Sequence, residues 1–228
     1  MIYGFDISHH NGEEAVSKCF STMLGQGHEP KFCFIKITEG RTYIDRRWEE
    51  NVEAAIAFGL VVGLYHYARP ENNSAMEEAK FFCNEYRKIH TVLATDINAI
   101  PILDWEGEAL KHNRQWVRDW CDYVYTEIGI RPMVYLSRSE CHMHRATVAG
   151  NYGLWVAAWR DLEKGVGNVA PWPTWAVWQY TSDPFDMDVF NGTVEQLMQY
   201  AMPENNFPTE ESCCDCHFCG CQLPRKDR

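Results

Sequence analysis

Three things are scarce in these 228 residues, and each scarcity excludes a class of protein. Positive charge is outnumbered: 21 lysines and arginines face 32 acids, for a formal net charge of −11. Phosphate backbones would be repelled, so nucleic acid is not an expected partner, and bulk attraction to anionic lipid or a polyanionic wall polymer is excluded too. A local basic patch is not. Long apolar runs are also missing. The longest, near Leu60 to Leu64, is far short of the roughly 20 residues that a membrane-spanning helix needs. Finally, no glycine-rich phosphate loop follows the first predicted strand, which counts against an open, doubly wound nucleotide-binding sheet.

The start, Met1-Ile2-Tyr3-Gly4-Phe5-Asp6, has no basic segment leading into an apolar stretch. No secretory signal is read there, and synthesis in the cytoplasm is expected. Five cysteines, Cys19, Cys33, Cys83, Cys121 and Cys141, are scattered through the body of the chain, and five more follow residue 212. An odd five cannot all pair among themselves, and scattered thiols fit a reducing compartment, where they act as small hydrophobes.

What is abundant is aromatic: nine Trp, eleven Tyr and eleven Phe. Ring faces stack on apolar sugar faces and polar tips hydrogen-bond, so the count suits a carbohydrate groove. It suits a large core equally well.

Hydrophobic periodicity lays out one main domain. Strands are expected at Ile2–Ser8, Phe32–Thr38, Leu60–Tyr67, Ile100–Glu106 and Pro132–Ser137. Each leads to a helix: Glu13–Leu24, Arg46–Phe58, a helix capped by Ser74 and Glu77 that runs to about His90, Asn113–Ile128, and Arg138–Val148. Then the rhythm changes. Leu154–Trp159, Trp175–Thr181 and Phe185–Phe190 are strands joined by loops too short or too rich in Gly and Pro for full helices, before a closing helix from Thr193 to about Met202. Five βα units and three plain strands predict an α/β fold, an irregular TIM-like barrel of eight strands, with an open sheet as the alternative. The barrel takes residues 1–202, and residues 203–228 read as a linker and a Cys-rich tail.

The stretch Ile100-Pro101-Ile102-Leu103-Asp104-Trp105-Glu106 organises the chemistry. On a strand, positions 104 and 106 point to the same side, with Cα atoms roughly 6.6 Å apart. Two same-facing acids on a buried strand are costly unless they sit at a solvated mouth, where paired carboxylates do acid/base work. In a barrel, the C-terminal strand ends converge on one mouth. That places there Asp6, Glu39, Tyr65, Tyr67, Asp104, Glu106, Tyr135, Trp159, Gln179, Tyr180 and Asp186. Like charges so gathered should raise the pKa of at least one acid and keep it protonated near neutral pH.

Seven segments in order then resemble one family, the glycoside hydrolase family 25 lysozymes, or N-acetylmuramidases. They are Gly4-Phe5-Asp6-Ile7-Ser8, Lys36-Ile37-Thr38-Glu39-Gly40, Tyr65-His66-Tyr67-Ala68-Arg69-Pro70, Leu103-Asp104-Trp105-Glu106, Leu154-Trp155-Val156-Ala157, Trp178-Gln179-Tyr180-Thr181 and Phe185-Asp186-Met187-Asp188-Val189-Phe190. The resemblance implies an irregular eight-stranded barrel that hydrolyses the β-1,4 bond between N-acetylmuramic acid and N-acetylglucosamine in bacterial peptidoglycan, without a cofactor. It implies that Glu106 is the general acid, with Asp104, Asp6 and Asp186 as the surrounding carboxylates. Asp104 would stabilise positive charge or orient the 2-acetamido group in a substrate-assisted, retaining reaction. Glu39, Tyr65, Tyr67, Tyr135, Trp159, Gln179 and Tyr180 would line the substrate groove. A monomeric, phage-endolysin-like enzyme, made in the cytoplasm and acting on the wall after release, is the expected setting. Two departures stand out: Asp188 occupies a position where the family usually has Asn, and His10 and Asn11 alter the first loop.

Two rivals remain: a glycan-binding barrel without catalysis, and a chitinase-like hydrolase. The second would need an acid where Ile102 stands. His9 and His10, being adjacent, point to opposite faces of a strand, and no metal is expected in the barrel. His66 reads as a satisfied core histidine, and Trp116 and Trp120, at i and i+4 on one helix, read as core. In the tail, Cys213, Cys216, Cys219 and His217 have soft-metal spacing, weighed against a disordered, redox-active tail.

Overall fold

The computed structural model describes residues 1–93 and 98–203, the side chains of 90–92 excepted. Its strands are β1 (Ile2–Ile7), β2 (Pro30–Glu39), β3 (Tyr43–Ile44), β4 (Val61–Tyr67), β5 (Ile100–Asp104), β6 (Met133–Ser137), β7 (Gly153–Ala157), β8 (Val177–Thr181) and β9 (Met187–Phe190). The sheet runs β1-β9-β8-β7-β6-β5-β4-β2, and β1 pairs with β2 to close it into an eight-stranded barrel. β3 is an extra two-residue strand folded back antiparallel on the end of β2. The helices are α1 (Ala15–Gly25), α2 (Trp48–Ala57), α3 (Ala75–Val92), α4 (Gln115–Ile128), α5 (Ala146–Ala149) and α6 (Val194–Gln199).

Strand alternation splits the core into two layers. Outward residues such as Phe5, Ile35, Leu64, Leu103, Val134 and Val156 pack in one cluster with the apolar stripes of the helices, among them Met23, Val52, Phe82 and Trp120. Inward residues Phe32, Phe34, Ile100, Ile102, Met133, Trp155 and Phe190 fill the barrel itself. The inward positions of β1 and β4 include glycines because this filling leaves no room: a Cβ on Gly4 would lie 2.6 Å from the Phe32 ring, and one on Gly63 would strike Phe34. All five body cysteines are free and buried, as small hydrophobes are. No helix among the described residues is long and apolar enough to cross a membrane.

The eight expected strands and the Ser74–Glu77 capping box are present. Two expectations are corrected. The helix expected over Arg138–Val148 is broken into a 3-10 turn at Cys141–Met143 and the single helical turn α5, because His144 and Arg145 take extended backbone angles between them. The other correction concerns direction. β9 runs antiparallel to both β1 and β8, so the barrel is not wholly parallel, and its start lies at the mouth where its neighbours end. Asp186, just before β9, therefore reaches the mouth; in a parallel strand it would sit at the base. The Cys-rich tail, with Cys213, Cys216, Cys219 and His217, lies outside the described residues.

Candidate active site

Each carboxyl at the mouth is set by its strand. Asp6 is the inward residue near the end of β1, and Asp104 closes β5. Beyond it the chain stays extended, because Trp105 N–H bonds Tyr135 O (3.0 Å) and the Trp105 ring is fully buried in the outer layer. Glu106, with φ −149° and ψ −175°, then turns to the same side as Asp104 before the 3-10 turn Gly107–Lys111. At Gly107 (φ +58°) a Cβ would lie 2.7 Å from Tyr67 Oη, so glycine is needed to let the backbone approach that ring. Asp188, inward on β9, is fully buried, and Asp186 is half-buried above it.

A hydrogen-bond chain ties the far wall together. Gln179 Nε2 donates to Asp6 Oδ2 (2.8 Å), and Gln179 Oε1 accepts from Tyr135 Oη (3.1 Å) and from Trp159 Nε1 (3.1 Å). Trp155 Nε1 donates to Asp188 Oδ1 (2.8 Å). On the near wall Lys36 Nζ donates to Glu39 Oε2 (2.6 Å), and Arg69 Nε to Glu39 Oε1 (2.7 Å). Both cations sit 4.7 Å from the centre of the Tyr67 ring. These contacts are charge-assisted and hold the wall rigid around a half-open floor.

Electrostatics separate the acids. Burial raises Asp6 well above the usual carboxylate range, and the nearby Asp188 and Asp186 charges raise it further against the Gln179 hydrogen bond. Asp104 is likewise raised well above that range, by burial and then by Glu106, with Lys36 pulling the other way. Glu106 is raised by burial and by Asp186, again opposed by Lys36. Burial raises Asp186, and it lifts Asp188 to about 7. Glu39 ends below its ordinary value, because the bonds from Lys36 and Arg69 outweigh its burial. Among the described residues, buried Asp104 Oδ1 and Asp188 Oδ2 have no hydrogen-bond partner. Asp188 faces the Asp6 carboxyl and shares a hydrogen bond with it once one of the two is protonated, which leaves Asp104 Oδ1 as the acceptor in reserve.

Most of the residues expected at the mouth meet there: Asp6, Glu39, Tyr67, Asp104, Glu106, Tyr135, Trp159, Gln179 and Asp186. Tyr65 joins them: inward on β4 and as buried as Tyr135, it has its hydroxyl pKa raised by burial and then by the Asp6 and Asp104 charges, and its ring meets Trp155 at 6.2 Å. Tyr180 is out of phase. It follows Gln179 on β8, faces the helix layer, and its hydroxyl meets Met187 Sδ at 3.7 Å. Lys36 was missed, although the inward alternation Phe32, Phe34, Lys36 on a buried strand marks it. Trp155 carries the same signal through its partner Asp188.

The model of the glycosyl hydrolases family 25 matches residues 5–189. The chain is a family 25 glycoside hydrolase. Lysozyme M1 of Streptomyces globisporus is 27% identical to it over 218 residues, covering 88% of this chain and 71% of that one. YegX of Escherichia coli K12, a protein described as uncharacterised, is 29% identical over 211 residues, covering 87% and 73%. Among solved structures, a muramidase from Trichobolus zukalii superposes with a TM-score of 0.72 at 26% identity, covering 88% of this chain and 99% of that one. The irregular barrel of this family 25 hydrolase is thus shared with a muramidase over 88% of the chain.

Proposed function

We propose that this family 25 hydrolase is a muramidase that cleaves the β-1,4 bond between N-acetylmuramic acid and N-acetylglucosamine in bacterial peptidoglycan, with Glu106 as general acid and Asp104 as the group that orients the 2-acetamido substituent. One observation carries the assignment. Of two neighbouring carboxyls with raised pKa, Asp104 is buried with Oδ1 lacking a donor, and Glu106 is half-open to the cleft. An acetamido N–H would satisfy the reserve acceptor on Asp104, turning the amide oxygen toward the anomeric carbon. Glu106, whose pKa is raised by burial and by Asp186, would deliver a proton to the departing oxygen. Attack by the substrate's own amide explains how a nucleophilic protein carboxylate is dispensed with. Asp6 and Asp186 would stabilise the positive charge that develops on the sugar ring. Tyr135 and Trp159, both held by Gln179, would wall the groove.

The test is turbidity clearing of purified cell walls, with mass spectrometry of the released fragments. A new reducing end on N-acetylmuramic acid, and a loss of about 10³-fold in kcat for Glu106→Gln, are expected. Full activity in that variant would remove Glu106 as the acid. Wall binding without any cleavage by the parent protein would favour a glycan-binding barrel, and chitin cleavage with no release from peptidoglycan would favour the chitinase-like alternative.

A further inference from the structure

Two arginines at the rim of the cleft make no side-chain ion pair among the described residues, although Asp161 lies near Arg160 and is itself bridged to Lys164. Arg138 follows β6 and Arg160 follows β7, and their backbones are pinned by Arg138 N–H to Ala157 O (2.9 Å) and Arg160 N–H to Tyr180 O (3.0 Å). Both side chains converge on Gly167, where a Cβ would lie 3.0 Å from Arg138 Nη1 and 3.4 Å from Arg160 Nη1. The φ of +86° at Gly167 suits glycine in any case. Arg47, Arg69, Arg87 and Arg114 lie against carboxylates; what sets Arg138 and Arg160 apart from other unpaired arginines is that they converge. Among the described residues, no ion pair or hydrogen bond is made by the guanidinium of Arg138 or Arg160. Two such groups brought together in a protein of net charge −11 repel each other unless an anion comes between them.

The surroundings indicate what that anion belongs to. The two arginines line a cavity of about 190 Å³ together with Ser137, Ser139 and Trp159. Trp159 is 66% exposed, an open indole face of the kind that takes a sugar ring. The same indole bonds Gln179, which bonds Asp6, so the cavity adjoins the catalytic groove. An anion held there would be carried by the glycan lying in the groove. Guanidinium forks match a carboxylate in two-point geometry, and the serine hydroxyls add donors.

We propose that Arg138 and Arg160 form a clamp for a carboxylate on the peptide side chain of the bound glycan, so that the enzyme favours peptide-bearing over bare strands. The proposal rests on the muramidase reading and adds a specificity site to it. A phosphodiester-bearing wall polymer is the other source of such charge.

The test compares the full chain with the Arg138→Gln/Arg160→Gln double variant on glycan strands freed of phosphodiester polymer, either with their peptides intact or stripped of them by an amidase. The expected result is a rise of about ten-fold in KM on peptide-bearing strands, with kcat little changed and a much smaller effect on stripped strands. Arg160→Lys, which keeps the charge and loses the fork, should fall between. An unchanged KM, or an equal loss on both substrates, overturns the clamp. So does a loss that appears only when the phosphodiester polymer is left on the wall. A parent chain that cleaves neither substrate overturns the muramidase reading itself, which a failure of the clamp alone would leave standing.

Discussion

Two sets of buried acids lie on opposite faces of β4 and β5, and they are finished to different degrees. On the helix side Glu78 of α3 is fully buried and accepts from His66 Nε2 (2.8 Å), from Arg69 N–H (3.0 Å) and from Asn73 Nδ2 (2.8 Å). A carboxylate can only accept, so His66 carries its proton on Nε2 and receives the Thr38 hydroxyl at Nδ1 (2.8 Å). The His66 ring is stacked on Trp120 at 5.5 Å. On the barrel side Asp104 is also buried yet keeps an oxygen with no donor, and Asp188 is fully buried against another acid, Asp6. A satisfied network specifies a backbone; an unsatisfied one stores free energy that a substrate can release. Satisfaction, rather than burial, separates the two.

The sharpest way to break this comparison is Glu78→Ala. It strands the His66 N–H, the Arg69 amide and Asn73 at once, and it frees the turn that presents the Arg69 side chain to Glu39. Removing one partner of a buried pair costs about 3–5 kcal/mol, so urea denaturation should show a loss of that order, with kcat/KM falling as the Glu39 wall loosens. A loss below about 1 kcal/mol would mean that the network is no more than a surface-grade ion pair and that the contrast drawn here is empty.

That contrast also explains what could be read from the residues alone. The alternation of β1, β2, β4 and β5 and the capping box at Ser74 are local signals, and they gave the barrel and the Asp104-x-Glu106 pair directly. The direction of β9 is not local. Nothing in Phe185–Phe190 says whether the chain enters from the mouth or the base, and only pairing with both β1 and β8 decides it. Asp186 was thus placed at the right end on a mistaken premise. Tyr180 failed for a related reason: neighbours on a strand face opposite ways, so Gln179 and Tyr180 could not both reach the groove. The broken segment between Arg138 and Val148 was hidden because Glu140 is taken by Arg114 (2.6 Å), a partner 26 residues away.

A second prediction sharpens the comparison from the barrel side. Asp104→Asn removes a buried titratable carboxyl whose loss the fold does not feel and the reaction does. Unfolding free energy should be unchanged or higher, while kcat falls about 10²-fold, some 2.7 kcal/mol of transition-state stabilisation. The two quantities moving in opposite directions is the signature of an acid placed for chemistry. If stability and activity fell together, Asp104 would belong with Glu78.

The smallest effect is expected at Asp188, and its sign is the informative part. Burial holds this carboxyl protonated up to about pH 7 in the folded chain, against an ordinary value of 3.8. Between those two pH values the folded state binds a proton that the unfolded state has released, so stability falls as pH rises through that window. Asn at this position keeps an oxygen for the Trp155 indole and supplies an N–H toward Asp6, with no charge to bury. Asp188→Asn should therefore match the parent near pH 3.5 and exceed it by about 1–2 kcal/mol near pH 8. Thermal melting across pH 3.5–8 reads this directly. A parent whose stability instead rises over that range would show that Asp188 is a stabilising ionised group and that the barrel side of the comparison includes one acid too many.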